Sequence, residues 1–436
     1  MNTTASLDAA TLLCLGCILL VPVAIAGLAL MNAGLGRSRN AAHLLVSSLS
    51  VFSVAVAAYF LCGFAFQGAP GGPSYFFVAG YKEWSWISAG RFLFRGVALD
   101  GSPRSLTLLF QVFCVGLAAI IPLGAGGGRW RMSASALSAA LLAGWTYPLY
   151  AHWVWGGGWL AQLGSNFGLG NGFIDAGGST VIQAVGGFTG LSAAWILGPR
   201  RGKYSSGMPA AIPGHDMVMV CFGCLLTIAG WLGLNGAGAL IFVGSGGGNG
   251  AGIAPGGIVL VALNTILCAA FAALSAIFFT RLRFGKPDAS LCINGCIGGL
   301  VASSAGCAVL SPLTAAATGL VAGAVVTYSV EFLEVRLRID DPGGAIPIHG
   351  LCGIWGALAV AIFANNTSGQ WIAQLAGVAT ILGFVLPLTF GINWGINRVW
   401  PMRVSLEAER QGLDLHELGA GAYPEFITHG DEFTAG

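Results

Sequence analysis

The sequence predicts an all-α membrane protein of eleven transmembrane helices, and three observations carry that prediction. The 436 residues are 56% hydrophobic and only 8% charged. A soluble domain carries about 25% charged residues, so most of this surface must face lipid. Apolar runs of bilayer-spanning length, roughly 20 residues, recur along the chain. The basic residues then divide by connection. Arg37 and Arg39, Arg129 and Arg131, Arg200, Arg201 and Lys203, Arg281, Arg283 and Lys286, Arg336 and Arg338, and Arg398, Arg403 and Arg410 all follow odd-numbered runs. Lys82, Arg91, Arg95 and Arg104 fall on the other side, in one loop. Lys and Arg collect on the cytoplasmic side, so the N-terminus is expected outside and the C-terminus in the cytoplasm.

In order, the runs lie near 8–33, 41–66, 103–125, 133–153, 178–198, 213–241, 254–280, 289–309, 312–335, 345–364 and 371–397. The first has no positive segment before it and reads as a helix, not a cleaved signal peptide. Residues 1–397 form the expected transmembrane domain and 398–436 a cytoplasmic tail. A net charge of +2 argues for neither nucleic acid nor an acidic partner. The cysteines include two CxxC pairs, Cys14/Cys17 and Cys221/Cys224, on apolar runs. No further ligands lie near them in sequence, so they read as small packing residues, and no metal or cofactor is expected.

The fifth run contains "IDAGGSTVIQAVGGFTGL", with polar Gln183 inside it. The tenth contains "IHGLCGIWGAL", with His349. Each polar residue is followed by glycine at plus four (Gly187, Gly353) and plus seven (Gly190, Gly356). Units of five helices enter the membrane from opposite sides. The pattern therefore predicts an inverted repeat of helices 1–5 and 6–10, plus an eleventh helix. Gln183 and His349 would face each other near the midplane, where a polar residue needs a partner in the bundle interior. Gly186, Gly187, Gly190, Gly353 and Gly356 would let helices five and ten cross closely.

Other residues have two readings each. Asp175 can cap the fifth helix or orient an entrance site for a cation. In "YAHWVWGGGWL", Trp153, Trp155 and Trp159 suit an aromatic belt at the membrane boundary; Trp155 could also offer a π face to a cation. "GWLGLNGAG" suggests tight packing or a broken helix, with Trp231 and Leu234 one turn apart and able to line a pore. "FQVFCVG" offers Phe110, Gln111, Phe113 and Cys114 in the same way. "GSGGGNGAG" at 244–252 does not join a strand to a helix, so a nucleotide site is not expected. With no nucleophile–base pair in view, an enzyme is not expected either.

These stretches taken in order resemble the ammonium transporter (Amt/Mep/Rh) family, in its Amt branch. "GLALMNAGLGRSRN", "AHWVWGGGWL", "IDAGGSTVIQAVGG" with "GPRRGK", "GWLGLNGAG", "LNTILCAA", "CINGCIGGLVASSAG", "DDPGGAIPIHGLCGIWGALAVAIFA" and the tail "LEAERQGLDLHELGAGAYPE" cover nearly the whole chain. The resemblance implies a homotrimer in a bacterial inner membrane, with a narrow pore in each subunit. It implies an outer vestibule for ammonium, an apolar channel lined by two facing histidines, and PII-type regulators at the cytoplasmic face. Trp155, Asp175, Trp231 and Asn235 keep the family pattern.

Other positions depart from it. Gln183 stands at the first histidine position and His349 at the second. Cys114 and Leu234 stand at two expected gate phenylalanines, Gly238 at a serine, Asn32 at a tyrosine and Gly344 at an aspartate. An amide does not titrate, so a proton relay through 183 is expected to be closed. The entrance is expected to be wider, with Trp155 as the sole aromatic partner of a cation. The function expected is ammonium/ammonia transport with modified recognition. The alternatives are a non-conducting ammonium sensor signalling through the tail, and a channel for another small neutral solute.

Overall fold

The structure, a computed structural model, describes residues 8–205, 207–243, 255–364 and 368–423. The glycine-rich stretch at 244–252 lies outside the described residues. Helices dominate: α1 Ala9–Leu35, α2 Ser38–Gln67, α3 Pro103–Gly126, α4 over 132–154, α5 Ser179–Leu197, α6 Met217–Phe242, α7 Pro255–Phe284, α8 Ala289–Gly306, α9 Pro312–Arg336, α10 Ile346–Phe363 and α11 Gln370–Val399. All but α4 are long and apolar enough to cross a membrane, ten among the described residues. α4 is built from Met132–Leu141, a π-helical turn Leu142–Thr146 and Tyr147–Val154. Its serines, tyrosines and His152 make it the most polar of the set.

Glycine lets the helices meet backbone to backbone, as in membrane bundles generally. A Cβ on Gly230 of α6 would lie 2.1 Å from the Ala24 nitrogen of α1. One on Gly323 of α9 would lie 2.1 Å from the Ala272 carbonyl of α7. α6 runs unbroken through "GWLGLNGAG", so that motif is a packing surface and not a helix break. The cysteines are free, and among the described residues no metal-holding cluster forms.

One element departs from the all-helical expectation. β1 Ser74–Ala79 and β2 Lys82–Ser88 form an antiparallel hairpin in the loop between α2 and α3. Gly80 and Tyr81 both have φ of 60°, the left-handed geometry of a two-residue hairpin turn. Ser85 and Trp86 seat the hairpin on α4: Ser85 Oγ bonds His152 Nε2 at 2.9 Å, and Trp153 Nε1 donates to the Trp86 carbonyl at 2.7 Å.

At the opposite end of the bundle the tail ties three connections together. The Arg131 N–H donates to the Met402 carbonyl at 2.9 Å. Glu409 accepts from the Arg201 N–H at 2.7 Å and from Arg403 at 2.8 Å. Asp414 accepts from the His43 N–H at 2.7 Å, and Glu417 bonds both His43 Nε2 and the Met132 N–H. Beneath them Arg200 grips Asp340 with two parallel bonds of 2.8 Å, and Arg129 donates to the Asp340 carbonyl at 2.6 Å. Burial alone would raise the Asp340 carboxyl; the Arg200 fork and the Arg129 charge hold it down at about 2. The arginines that separate by loop in the sequence thus converge on one end of the bundle.

Candidate functional site

α5 and α10 each begin with a π-helical turn, Ser179–Ala184 and Ile346–Leu351. Such turns are rare and frequently mark functional sites. Here each turn contains the polar residue singled out by the sequence. Both turns are held the same way. Asp175 Oδ2 accepts from the Thr180 N–H (2.8 Å), the Thr180 hydroxyl (2.6 Å) and the Val181 N–H (3.0 Å). Asp341 accepts from the Ala345 N–H (3.0 Å) and the Ile346 N–H (2.7 Å). The carboxylates satisfy N–H groups that a helix start leaves open. Asp175 is therefore a cap.

Asp341 is a site residue that sequence reasoning passed over. It stands eight residues before His349, as Asp175 stands eight before Gln183. The signal was present as "DAGG" and "DPGG". Their last glycines, Gly178 and Gly344, have φ of +87° and +68°. Gly344 is thus a backbone requirement at a position where the family resemblance expects an aspartate.

The two turns meet at their polar residues. Gln183 Oε1 accepts from His349 Nδ1 at 2.7 Å. Gln183 is fully buried and His349 nearly so. An amide oxygen can only accept, so the histidine carries its proton on Nδ1 and its lone pair on Nε2. The other amide atom, Gln183 Nε2, has no hydrogen-bond partner among the described residues. Glycines bring the helices this close: a Cβ on Gly187 would lie 2.2 Å from the Gly350 nitrogen, and one on Gly353 2.3 Å from the Ser179 carbonyl. The expected role of the other glycines needs correcting. Gly186 and Gly190 abut α3 at Ala118 and Ala125, and Gly356 abuts α8 at Ala302 as well as Ser179.

Toward the hairpin end, Trp155 Nε1 donates to the Asp175 carbonyl at 2.7 Å, which fixes the indole. Phe242, the last residue of α6, stacks on it with centroids 4.5 Å apart and planes within 5°. Phe110 lies 6.3 Å from Trp155 and 6.1 Å from Phe242. The expectation of a wider entrance with Trp155 as the sole aromatic partner is therefore overturned, because two further rings close on it. Gly238 does not leave a gap either. A Cβ there would lie 2.3 Å from the Ala176 carbonyl, so the loop backbone fills the place of a side chain.

Cys114 and Leu234 are fully buried in the same hydrophobic core as Trp155 and Phe110. Gln111 turns away, accepting from the Tyr147 hydroxyl at 2.6 Å. Trp231 is buried and donates to Ser304 at 2.9 Å, and Asn235 donates to Thr265 and Ser303 at 2.9 and 3.0 Å. Both anchor α6 to its neighbours. Trp153 is not part of an exposed belt: it is buried, with Trp86 at 4.7 Å and Phe384 at 4.8 Å. The hairpin roofs it over.

Comparison with known proteins matches residues 11–423 to the Ammonium Transporter Family. The ammonium transporter Amt2 of Archaeoglobus fulgidus is 34% identical over 423 residues, spanning 92% of this chain and 85% of its own length. The ammonium transporter Amt2 of Haloferax mediterranei is 34% identical over 420 residues, 92% of this chain and 87% of that one. A solved structure titled "Sensor Amt Protein" superposes with a TM-score of 0.83 at 28% identity, covering 94% of this chain and 98% of that one.

Proposed function

The chain belongs to the ammonium transporter family and moves ammonium/ammonia across a membrane through its helical bundle, and we propose that its pore centre passes neutral ammonia while holding back the proton. The carrying observation is the Gln183–His349 pair, 2.7 Å apart with Gln183 Nε2 unpartnered among the described residues. The centre then offers one donor, Gln183 Nε2–H, and one acceptor, His349 Nε2. Ammonia has a lone pair for the first and N–H groups for the second. Ammonium has no lone pair and meets the amide N–H as a second donor. A proton cannot hop through the amide, because glutamine has no titrating nitrogen.

In this reading α4 crosses the membrane with the ten more apolar helices. The N-terminus is outside, and the tail end bearing the clustered arginines is cytoplasmic. The matched turns of α5 and α10 support an inverted repeat. A homotrimer, a bacterial inner-membrane location and a PII-type regulator at the cytoplasmic face follow from the family resemblance. Residues 1–397 are the transport domain and 398–436 the regulatory tail. The family is one of transporters, which leaves no role for an enzyme.

The test is an ammonium jump on proteoliposomes, recording internal pH and current for the native protein and Gln183→His. The expected outcome is an internal pH rise without current in the native protein, with current appearing in the variant. Equal current in both proteins overturns the reading of Gln183. A second reading, a non-conducting sensor, draws on the likeness to the structure titled "Sensor Amt Protein". Binding with neither current nor pH change would favour it. The neutral-solute channel loses its motive, since the entrance is closed by rings.

A further inference from the structure

We infer that Phe242 is the outer gate of this protein, a ring that must leave the face of Trp155 before ammonium can reach it. The inference rests on the transport reading for its substrate and on independent geometry for its mechanism. Near-parallel rings with centroids 4.5 Å apart are in van der Waals contact, so no nitrogen fits between them. The indole cannot swing aside, because its N–H is held by the Asp175 carbonyl. Phe242 is the last residue of α6 and only half-buried, whereas Trp155 is buried. Phe110 lies in the fully buried part of α3 and completes the cluster from the side.

The sequence around Phe242 fits this assignment. One turn earlier, Gly238 is pressed against the Ala176 carbonyl and has no room for a hydroxyl-bearing side chain. At this end α6 therefore meets the Trp155 face through the ring of Phe242 and not through a polar contact at 238. A cation on that indole face competes directly with the phenyl ring for the same π surface. Apparent affinity is then the intrinsic affinity reduced by the fraction of protein with the stack open.

Removing the ring removes that competition. Phe242→Ala should tighten ammonium binding by about 2- to 12-fold, the range that corresponds to one aromatic pair. Phe242→Leu keeps apolar bulk but cannot stack flat, and should shift binding the same way by less. The experiment is calorimetric titration of ammonium into the full-length purified protein, run beside influx into proteoliposomes. Tighter binding in Ala and Leu supports the gate. Unchanged or weaker binding in both overturns it, as does the absence of measurable binding in all three proteins. Should Ala fail to fold, Leu alone decides by the sign of its shift. If binding tightens while no protein conducts, the transport reading fails and the gate stands. If flux persists while binding does not tighten, the gate alone fails.

Discussion

The segments 175–190 and 341–356 are two versions of one device, and they differ where chemistry is done. Each has a capping aspartate, a left-handed glycine three residues on, a π-helical turn, a polar residue eight residues from the aspartate, and a close-approach glycine four beyond that. The backbone requirements are repeated; the side chains at the centre are not. Gln183 cannot exchange a proton, and His349 has its tautomer set by that glutamine. The supports also differ. Asp175 is held by neutral groups, a hydroxyl and two backbone N–H groups. Asp341 is held by two backbone N–H groups alone, next in sequence to the ion-paired Asp340, and burial pushes its carboxyl up to about 6. The comparison teaches that geometry is shared by both halves, whereas a buried ion pair stands next to only one.

That asymmetry is broken most forcefully at Asp340. Asp340→Asn leaves Arg200 and Arg129 buried without their carboxylate, which should cost about 3–5 kcal/mol. Thermal unfolding in detergent measures it. The pH dependence has a definite sign. The folded Asp340 holds its proton only near about 2, below the ordinary 3.8. Its contribution is therefore complete above pH 3.8 and fades as pH falls toward 2. The deficit of the variant should be constant at neutral pH and shrink in that acid window.

A second test sharpens the shared geometry. Gly187→Ala and Gly353→Ala each push a methyl to within 2.2 or 2.3 Å of a backbone atom of the opposite helix. Each should cost about 1–3 kcal/mol, by nearly equal amounts. Markedly unequal losses of melting temperature would show that the two crossings are not equivalent. The smallest effect belongs to the caps. Asp175→Ala and Asp341→Ala should each cost about 1 kcal/mol, with Asp175 the larger because it also holds the Thr180 hydroxyl. The reverse order would assign the greater load to the charged side.

Much of this was legible in the chain. The long helices follow the apolar runs to within a few residues; α10 is Ile346–Phe363 where the sequence suggested 345–364. The meeting of Gln183 and His349 follows from matched glycine spacing, and Asp341 could have been found by extending the same match backward. The hairpin was hidden because its strands are largely exposed and its turn asks Tyr81 for a φ of 60°, which tyrosine seldom takes. Trp153 looked like a boundary residue because it stands near a helix end; the hairpin laid over it made it core.

By itself the sequence determined the solvent, the helices, which loops share a side, and the polar pair at the centre. These depend on composition and local spacing, since each apolar stretch partitions into lipid on its own account and each cap or glycine acts within a few residues. Only the tertiary structure decided that Phe242 covers Trp155, that Gly238 is filled by the backbone of Ala176, and that His349 Nδ1–H donates a hydrogen bond to Gln183 Oε1. Contacts between atoms this far apart in the chain depend on how whole helices pack, and a ring or a methyl is accepted or refused within a few tenths of an ångström.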